Sequence, residues 1–335
     1  MPIKLSELLE IIPSDTERVV TRARDDTNQA VRERLRQLTG FRFGGVRKPG
    51  TEDDLADAMP VRVILVPGLP AQLVTASIGE DEWALSVLAL HRPALEHLKG
   101  GGEELLKVVP QLVNDTAGAR LLANRHDALA TTVALAEELL RTTASFDLAK
   151  RILSVEADVL GAYFPPEPKW YDVKPARIEL YWAVIGLVAP LIGVSTAALT
   201  VAVLVHELAH AFTQVGADIE GYRWEIESFH AADLALKEGL AQYYTALACE
   251  KLERVAPDAK GAYEALLSKQ PDAYHVHIPW MKEHREEEVR LALVRARRSD
   301  TTKAAEFTAL LEKATGDLRT GRAASTNKRR IQADT

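Results

Sequence analysis

Residues 199–221 read LTVAVLVHELAHAFTQVGADIEG, and the fold turns on this stretch. Leu199, Val201, Val203, Leu204, Leu208 and Phe212 lie all round a 3.6-residue helix, so a helix here must be buried on most sides. Into that apolar surface the sequence sets His206, Glu207 and His210, an HExxH pattern. Residues four apart share a helix face, so both imidazoles can reach one metal ion. Glu207 lies about 100° further round the helix, where it can address a water without being a ligand. The competing reading is a hydrogen-bonded histidine pair in an ordinary core. Two histidines and a glutamate in an apolar helix are costly unless something pairs them. A metal ion supplies that pairing, and Zn2+ is the ion expected of this donor set.

Upstream, Leu180 to Val205 holds 26 positions without a formal charge, long enough to cross a bilayer. Gly186, Pro190, Gly193, Ser195 and Thr196 cut the run in two, with Ser195 a candidate helix N-cap. A buried soluble core is the expectation, and a membrane-embedded protein using 180–205 as a span is the alternative. IELYW at 178–182 reads as a short strand ahead of the HExxH helix or as the first turn of a buried helix.

Zinc held by two histidines requires a third protein ligand. The downstream candidates are Asp218, Glu220, Glu225, Glu227, His230, Asp233 and Glu238. FHAADLALKEGLAQYYTALACEKL, from Phe229, reads as a second long helix. Gly239 and Ala241 are small enough to let that helix approach the first closely. HELAH at 206–210 with EGLAQYY at 238–244 resembles the gluzincins, zinc metallopeptidases of the thermolysin and alanyl-aminopeptidase type. The resemblance covers about residues 178–252. It implies a zincin-like fold, Glu238 as third ligand, a peptide or protein substrate, and strand 178–182 as a template for its backbone. The chain departs from better-known members: the two motifs are farther apart than in the aminopeptidases, and no GxMEN-like exopeptidase motif is present. No third histidine follows at the metzincin spacing, and His230 is the rival ligand.

If zinc is bound, Glu207 is the expected general base in peptide hydrolysis, taking a proton from water and delivering it to the leaving amine. Tyr243, Tyr244, His275 and His277 are candidate donors to the developing oxyanion. Each also has an ordinary reading: packing aromatics for the tyrosines and a surface loop, YHVHIPW at 274–280, for the histidines. A non-catalytic, metal-stabilised interaction or regulatory protein is the alternative from a different class. Glu207 argues against it, because a structural site needs no base.

The remainder sets the frame. The 335 residues carry 41 Lys and Arg against 48 Asp and Glu, a net charge of −7. That balance disfavours a general nucleic-acid binder. The single cysteine, Cys249, excludes an intramolecular disulfide and any multi-cysteine metal site. The first twenty residues lack a signal-peptide apolar stretch, so a cytoplasmic protein is expected, of open oligomeric state. Residues 16–39 read as an exposed charged helix stopped by Gly40, and 40–60 as a linker. Strands are expected at 61–67, 71–78 and 83–90, helices over 103–163, and a solvated helix over 281–298. The expected class is α+β, mostly α-helical. It comprises an N-terminal α/β region (1–163) of unassigned role, a zincin-like catalytic domain (164–316) and a disordered polar tail (317–335).

Overall fold

The computed structural model describes residues 3–4, 7, 12–43, 61–67, 77–109, 118–144, 146–154, 159–168, 173–299 and 301–333. In chain order these form strand β1 (Ile3–Lys4), helix α1 (Thr16–Thr39), and strands β2 (Arg62–Val66) and β3 (Ser77–Ile78). Helices α2 (Glu80–Leu90), α3 (Arg92–Val108), α4 (Gly118–Ala144) and α5 (Leu148–Leu153) follow. Next come β4 (Gly161–Phe164), β5 (Glu167–Pro168), β6 (Val173–Lys174) and β7 (Arg177–Tyr181). The chain continues with α6 (Trp182–Leu191), α7 (Thr196–Gln214), α8 (Ile226–Ala231), α9 (Leu234–Lys251) and α10 (Ala259–Leu267). A short 3-10 turn, Asp272–Tyr274, leads into α11 (His277–Glu283), α12 (Glu286–Arg298) and α13 (Ala304–Ala333). The architecture is α+β and mostly helical, with a small three-stranded sheet.

The chain divides into two compact units, neither continuous in sequence. One comprises Met1–Thr16, Gly68–Val159 and Ala183–Thr196; the other comprises Glu17–Pro67, Leu160–Trp182 and Ala197–Thr335. A linear division near residue 163 groups the chain differently, because β2 pairs in parallel with β7 across more than a hundred residues. Residues 17–67 therefore belong to the same unit as the HExxH helix.

In the first unit α3 and α4 pack side by side. Gly102 leaves no room for a side chain against Val133, and Lys99 pairs with Glu137 at 3.2 Å. The strand expected at 83–90 is instead most of helix α2. GEDE at 79–82 is the start of this helix: the Glu82 carboxylate accepts the Gly79 backbone N–H (2.9 Å). Acids at 80–82 sit favourably at the positive end of its dipole. Of the strand expected at 71–78, Ser77–Ile78 pairs with Ile3–Lys4 and the rest lies outside the described residues. So does most of the linker expected at 40–60. The apolar run 180–205 is interrupted as its composition requires. Gly193 takes φ +73°, with Val194 N–H bonded to Ala189 O and Gly193 N–H to Pro190 O, a Schellman end to α6.

The second unit holds the three-stranded sheet, ordered β2–β7–β4. IELYW is a strand, but a central one: β2 lies parallel on one side and β4 antiparallel on the other. It therefore has no open edge to offer a substrate. GAYF at 161–164, expected to end a helix, is strand β4. Its last residue, Phe164, stacks under the Arg177 guanidinium at 4.0 Å. Helix α1 is not simply exposed: Val20, Ala23, Thr27, Val31, Leu35 and Leu38 recur every three or four residues and are buried. The solvated helix expected at 281–298 is two helices broken at His284–Arg285. Val289, Ala292, Leu293 and Ala296 of the second form a buried face. Residues 317–333, expected to be disordered, continue α13 to Ala333.

Helix α7 is the unit's central element. From Ala198 to Gln214 every residue is buried except His206, which is half-buried. Among the described residues it is the helix long and apolar enough to cross a membrane, and 83% of its apolar window is buried inside the protein. Its exit is tight. The N–H groups of Val215 and Gly216 both return to Ala211 O, and a Cβ at Gly216 would lie 2.4 Å from Phe212 O. Arg297, fully buried, donates from Nη2 to the carbonyls of Gly216 (2.5 Å) and Tyr222 (2.8 Å) beyond that exit. A cation is favoured there by the negative end of the helix dipole.

Candidate metal centre

Helices α7 and α9 build the site. The second long helix expected from Phe229 begins later, at Leu234. Asp233 caps it, accepting Leu236 N–H at 2.8 Å, and its other carboxylate oxygen takes Ala304 N–H at 3.1 Å. This double tie fixes the start of α9 one turn before Glu238. Phe229 and His230 fall on the separate short helix α8.

Three ligand atoms converge. The Nε2 atoms of His206 and His210 are 3.1 Å apart, and Glu238 Oε2 lies 3.2 Å from the first and 3.6 Å from the second. All three side chains are at least largely buried, with exposures of 13%, 7% and 5%. Burial alone would raise the Glu238 carboxyl. The facing His210 and His206 rings outweigh it and hold the group below the usual carboxylate range.

Two features bear on whether the cluster is a hydrogen-bonded core or a metal site. Glu238 Oε2 is buried and makes no hydrogen bond despite its closeness to both rings. The nitrogens of the two rings point at one another, so at most one of them carries a proton there. A hydrogen-bonded trio would satisfy that oxygen; a common ion at the centre would satisfy all three atoms. Tetrahedral zinc with ligands at about 2.0–2.1 Å holds them roughly 3.3 Å apart, and the observed separations bracket that value. The residues fit a zinc ion.

The other acids and His230 are engaged elsewhere or exposed. Asp218 Oδ1 accepts from the backbone N–H groups of Glu220 and Tyr222, and its Oδ2 pairs with Arg298 at 2.6 Å. Glu220 also pairs with Arg298. Asp233 caps α9. Glu225, Glu227 and His230 are exposed. Among the described residues, the group able to share one ion is His206, His210 and Glu238.

Glu207 is buried beside the ligand face. A Cβ on Gly161 would come within 3.2 Å of its Cγ and 3.0 Å of Val203 Cγ1, so the glycine lets β4 lie close to the base without displacing either side chain. The role expected of Gly239 changes. Its missing side chain makes room for Val276 and Trp280, at 2.4 and 2.8 Å from a Cβ there, on the 274–280 segment.

The four candidate oxyanion donors are placed as follows. Tyr243 and Tyr244 are buried and meet edge to face at 5.2 Å, and burial pushes both phenols up. The charges acting on them are Glu286, Glu287 and Glu288 for the first, and Arg290, Arg297 and Glu286 for the second, all on α12. They are packing aromatics. His277 is buried with both nitrogens used: Nδ1 donates to Tyr274 O (2.9 Å) and Nε2 accepts from Tyr263 Oη (2.8 Å). It has no N–H left for a substrate. His275 is half-buried and donates from Nδ1 to Pro271 O at 3.1 Å. When neutral, its Nε2 is then an acceptor.

Sequence reasoning passed over two residues that touch the site. Gly161 stood inside a segment read as helix. Tyr274 lies in the YHVHIPW segment singled out for its histidines, yet its ring is what faces His206, with centroids 6.2 Å apart and planes at 28°. Comparisons of the chain with protein-family models, curated proteins and solved structures return no match.

Proposed function

We propose that this protein is a zinc-dependent metallopeptidase of the gluzincin type, with His206, His210 and Glu238 as ligands and Glu207 as general base. The observation that carries the reading is the triangle of two imidazole nitrogens and one carboxylate oxygen, 3.1, 3.2 and 3.6 Å on its sides. Three protein ligands of this kind leave a coordination position open, the mark of a catalytic rather than a structural zinc site. Bound there, zinc would supply Lewis acidity that brings a water's pKa to about 7 and polarises a carbonyl.

The chain's own residues supply the rest. Glu238, ionised, would contribute negative charge towards the ion, and the two histidines would bind it through neutral imidazole nitrogens. Glu207, adjacent in sequence to His206 but turned off its face, takes the proton of the attacking water and passes it to the leaving amine. Its stem is braced against the backbone of β4 at Gly161. The exposed edge of His206, 13% of its side chain, marks the side from which a peptide reaches the site, because the rest of α7 from Ala198 onward is closed off.

Glu207→Gln tests the enzymatic reading. The amide keeps size and most hydrogen bonding but cannot accept water's proton. The variant should fold, retain zinc and lose peptide hydrolysis by at least about 100-fold, read from cleavage profiles of a proteome digest against wild type. Identical profiles for wild type and variant would remove the peptidase assignment and leave the metal-stabilised scaffold.

A further inference from the structure

A metal-bound histidine normally has its outer nitrogen held by a hydrogen bond, which fixes the ring's tautomer and orientation. His206 has no such support. Its Nδ1 is buried and makes no hydrogen bond, so something else must set the ring. The Tyr274 ring lies over it, inclined by 28°. Tyr274 is itself buried at 3% exposure, and its position is over-determined from behind.

The chain of contacts runs outward from the site. The backbone O of Tyr274 accepts a hydrogen bond from His277 Nδ1 at 2.9 Å, which assigns the ring proton to Nδ1 and leaves Nε2 as an acceptor. Nε2 then receives the hydroxyl of Tyr263 at 2.8 Å, from helix α10. All three residues are buried, so water does not compete for these bonds. Burial also lowers His277 to about 4, keeping it neutral and the tautomer fixed at ordinary pH. On its other side the same segment is pressed onto α9, where Val276 and Trp280 fill the space left by Gly239, the residue after Glu238. One short stretch, 274–280, thus touches both a histidine ligand and the turn that carries the carboxylate ligand.

We infer that Tyr263, His277 and Tyr274 are positioning residues for the metal centre, a relay that holds the His206 ring by an aromatic face in place of an outer hydrogen-bond acceptor. The inference rests on the metal reading above. It explains why a segment of modest length carries two buried hydrogen bonds to one histidine. It also explains why a glycine, a residue poorly suited to a helix interior, sits beside Glu238.

Three variants separate positioning from simple packing. Tyr263→Phe keeps the ring and removes only the hydroxyl to His277. Tyr274→Leu removes the ring over His206, and Tyr274→Phe keeps it. Zinc dissociation constants, the visible spectrum of the cobalt-substituted protein and apoprotein melting are measured for each. Zinc affinity should fall about 10-fold in Tyr263→Phe and towards 100-fold in Tyr274→Leu, the range for loss of outer support. Both should shift the cobalt spectrum, and Tyr274→Phe should return affinity and spectrum close to wild type. Unchanged affinity and spectra in Tyr263→Phe and Tyr274→Leu, with or without a lower melting temperature, would overturn the relay. Wild-type protein that binds no zinc would overturn the metal reading itself, an outcome visible before any variant is made.

Discussion

Two buried histidine clusters lie in the same compact unit, and they are built in opposite ways. At His277 every polar atom has a partner: one nitrogen donates to Tyr274 O and the other accepts from Tyr263 Oη. At His206 and His210 the two nitrogens face each other, a carboxylate oxygen approaches without a hydrogen bond, and the outer nitrogen of His206 is unmet. Buried polar groups are almost always paired. A cluster that satisfies itself is an element of the core, and one whose acceptors converge on a shared point offers a place for an ion. For this reason His277, one of the candidate donors in YHVHIPW, has no N–H to offer a substrate, and its burial also departs from the surface-loop reading.

The comparison breaks most severely at Glu238. Glu238→Gln replaces a charged ligand by a neutral one, and zinc affinity should fall by more than the roughly 10–100-fold typical of residues outside the ligand set. His230→Ala, an exposed position on a separate helix, should leave affinity unchanged. Isothermal titration of the two variants decides between them; the reverse result would move the ligand to His230.

A smaller effect sharpens the other half. Burial, with help from His275 and His206 and against the hydrogen bond to Tyr274, lowers His277 from 6.5 to about 4. Between those values the unfolded chain binds a proton that the folded protein refuses, so folding stability rises with pH there. The stability is fully present above about pH 6.5 and is lost as pH falls towards 4, by about 3 kcal/mol. His277→Gln can keep both hydrogen bonds and does not titrate. Urea unfolding of the apoproteins should therefore show a shallower acid loss in the variant, by about that amount. Equal acid slopes would place His277 in a wetter site than its contacts indicate.

How much of this was legible in the sequence follows from the kind of signal involved. The HExxH helix and the break at Pro190–Gly193 announce themselves through local periodicity and turn chemistry, which act over a few residues. Glu238 was reachable by its neighbours in EGLA, although the reason given for Gly239 pointed at the wrong partner. The central position of β7 was not legible, because it depends on β2, more than a hundred residues away, and pairing at that distance leaves no mark on either segment. Helix α2 was misread for a different reason. WALSVLAL suits either period, and only the Glu82 carboxylate bonded to Gly79 N–H breaks the tie. Tyr274 was hidden behind the two histidines that flank it in YHVH, since metal chemistry draws attention to imidazoles and not to the ring that steadies one.

The most direct test of the account is metal content. Protein purified without chelators and titrated to saturation should hold about one zinc per chain by elemental analysis, and the His206→Ala/His210→Ala double variant should hold none. Stoichiometric zinc persisting in the double variant, or wild-type protein that takes up no zinc, would contradict the claim that these three side chains converge on an ion.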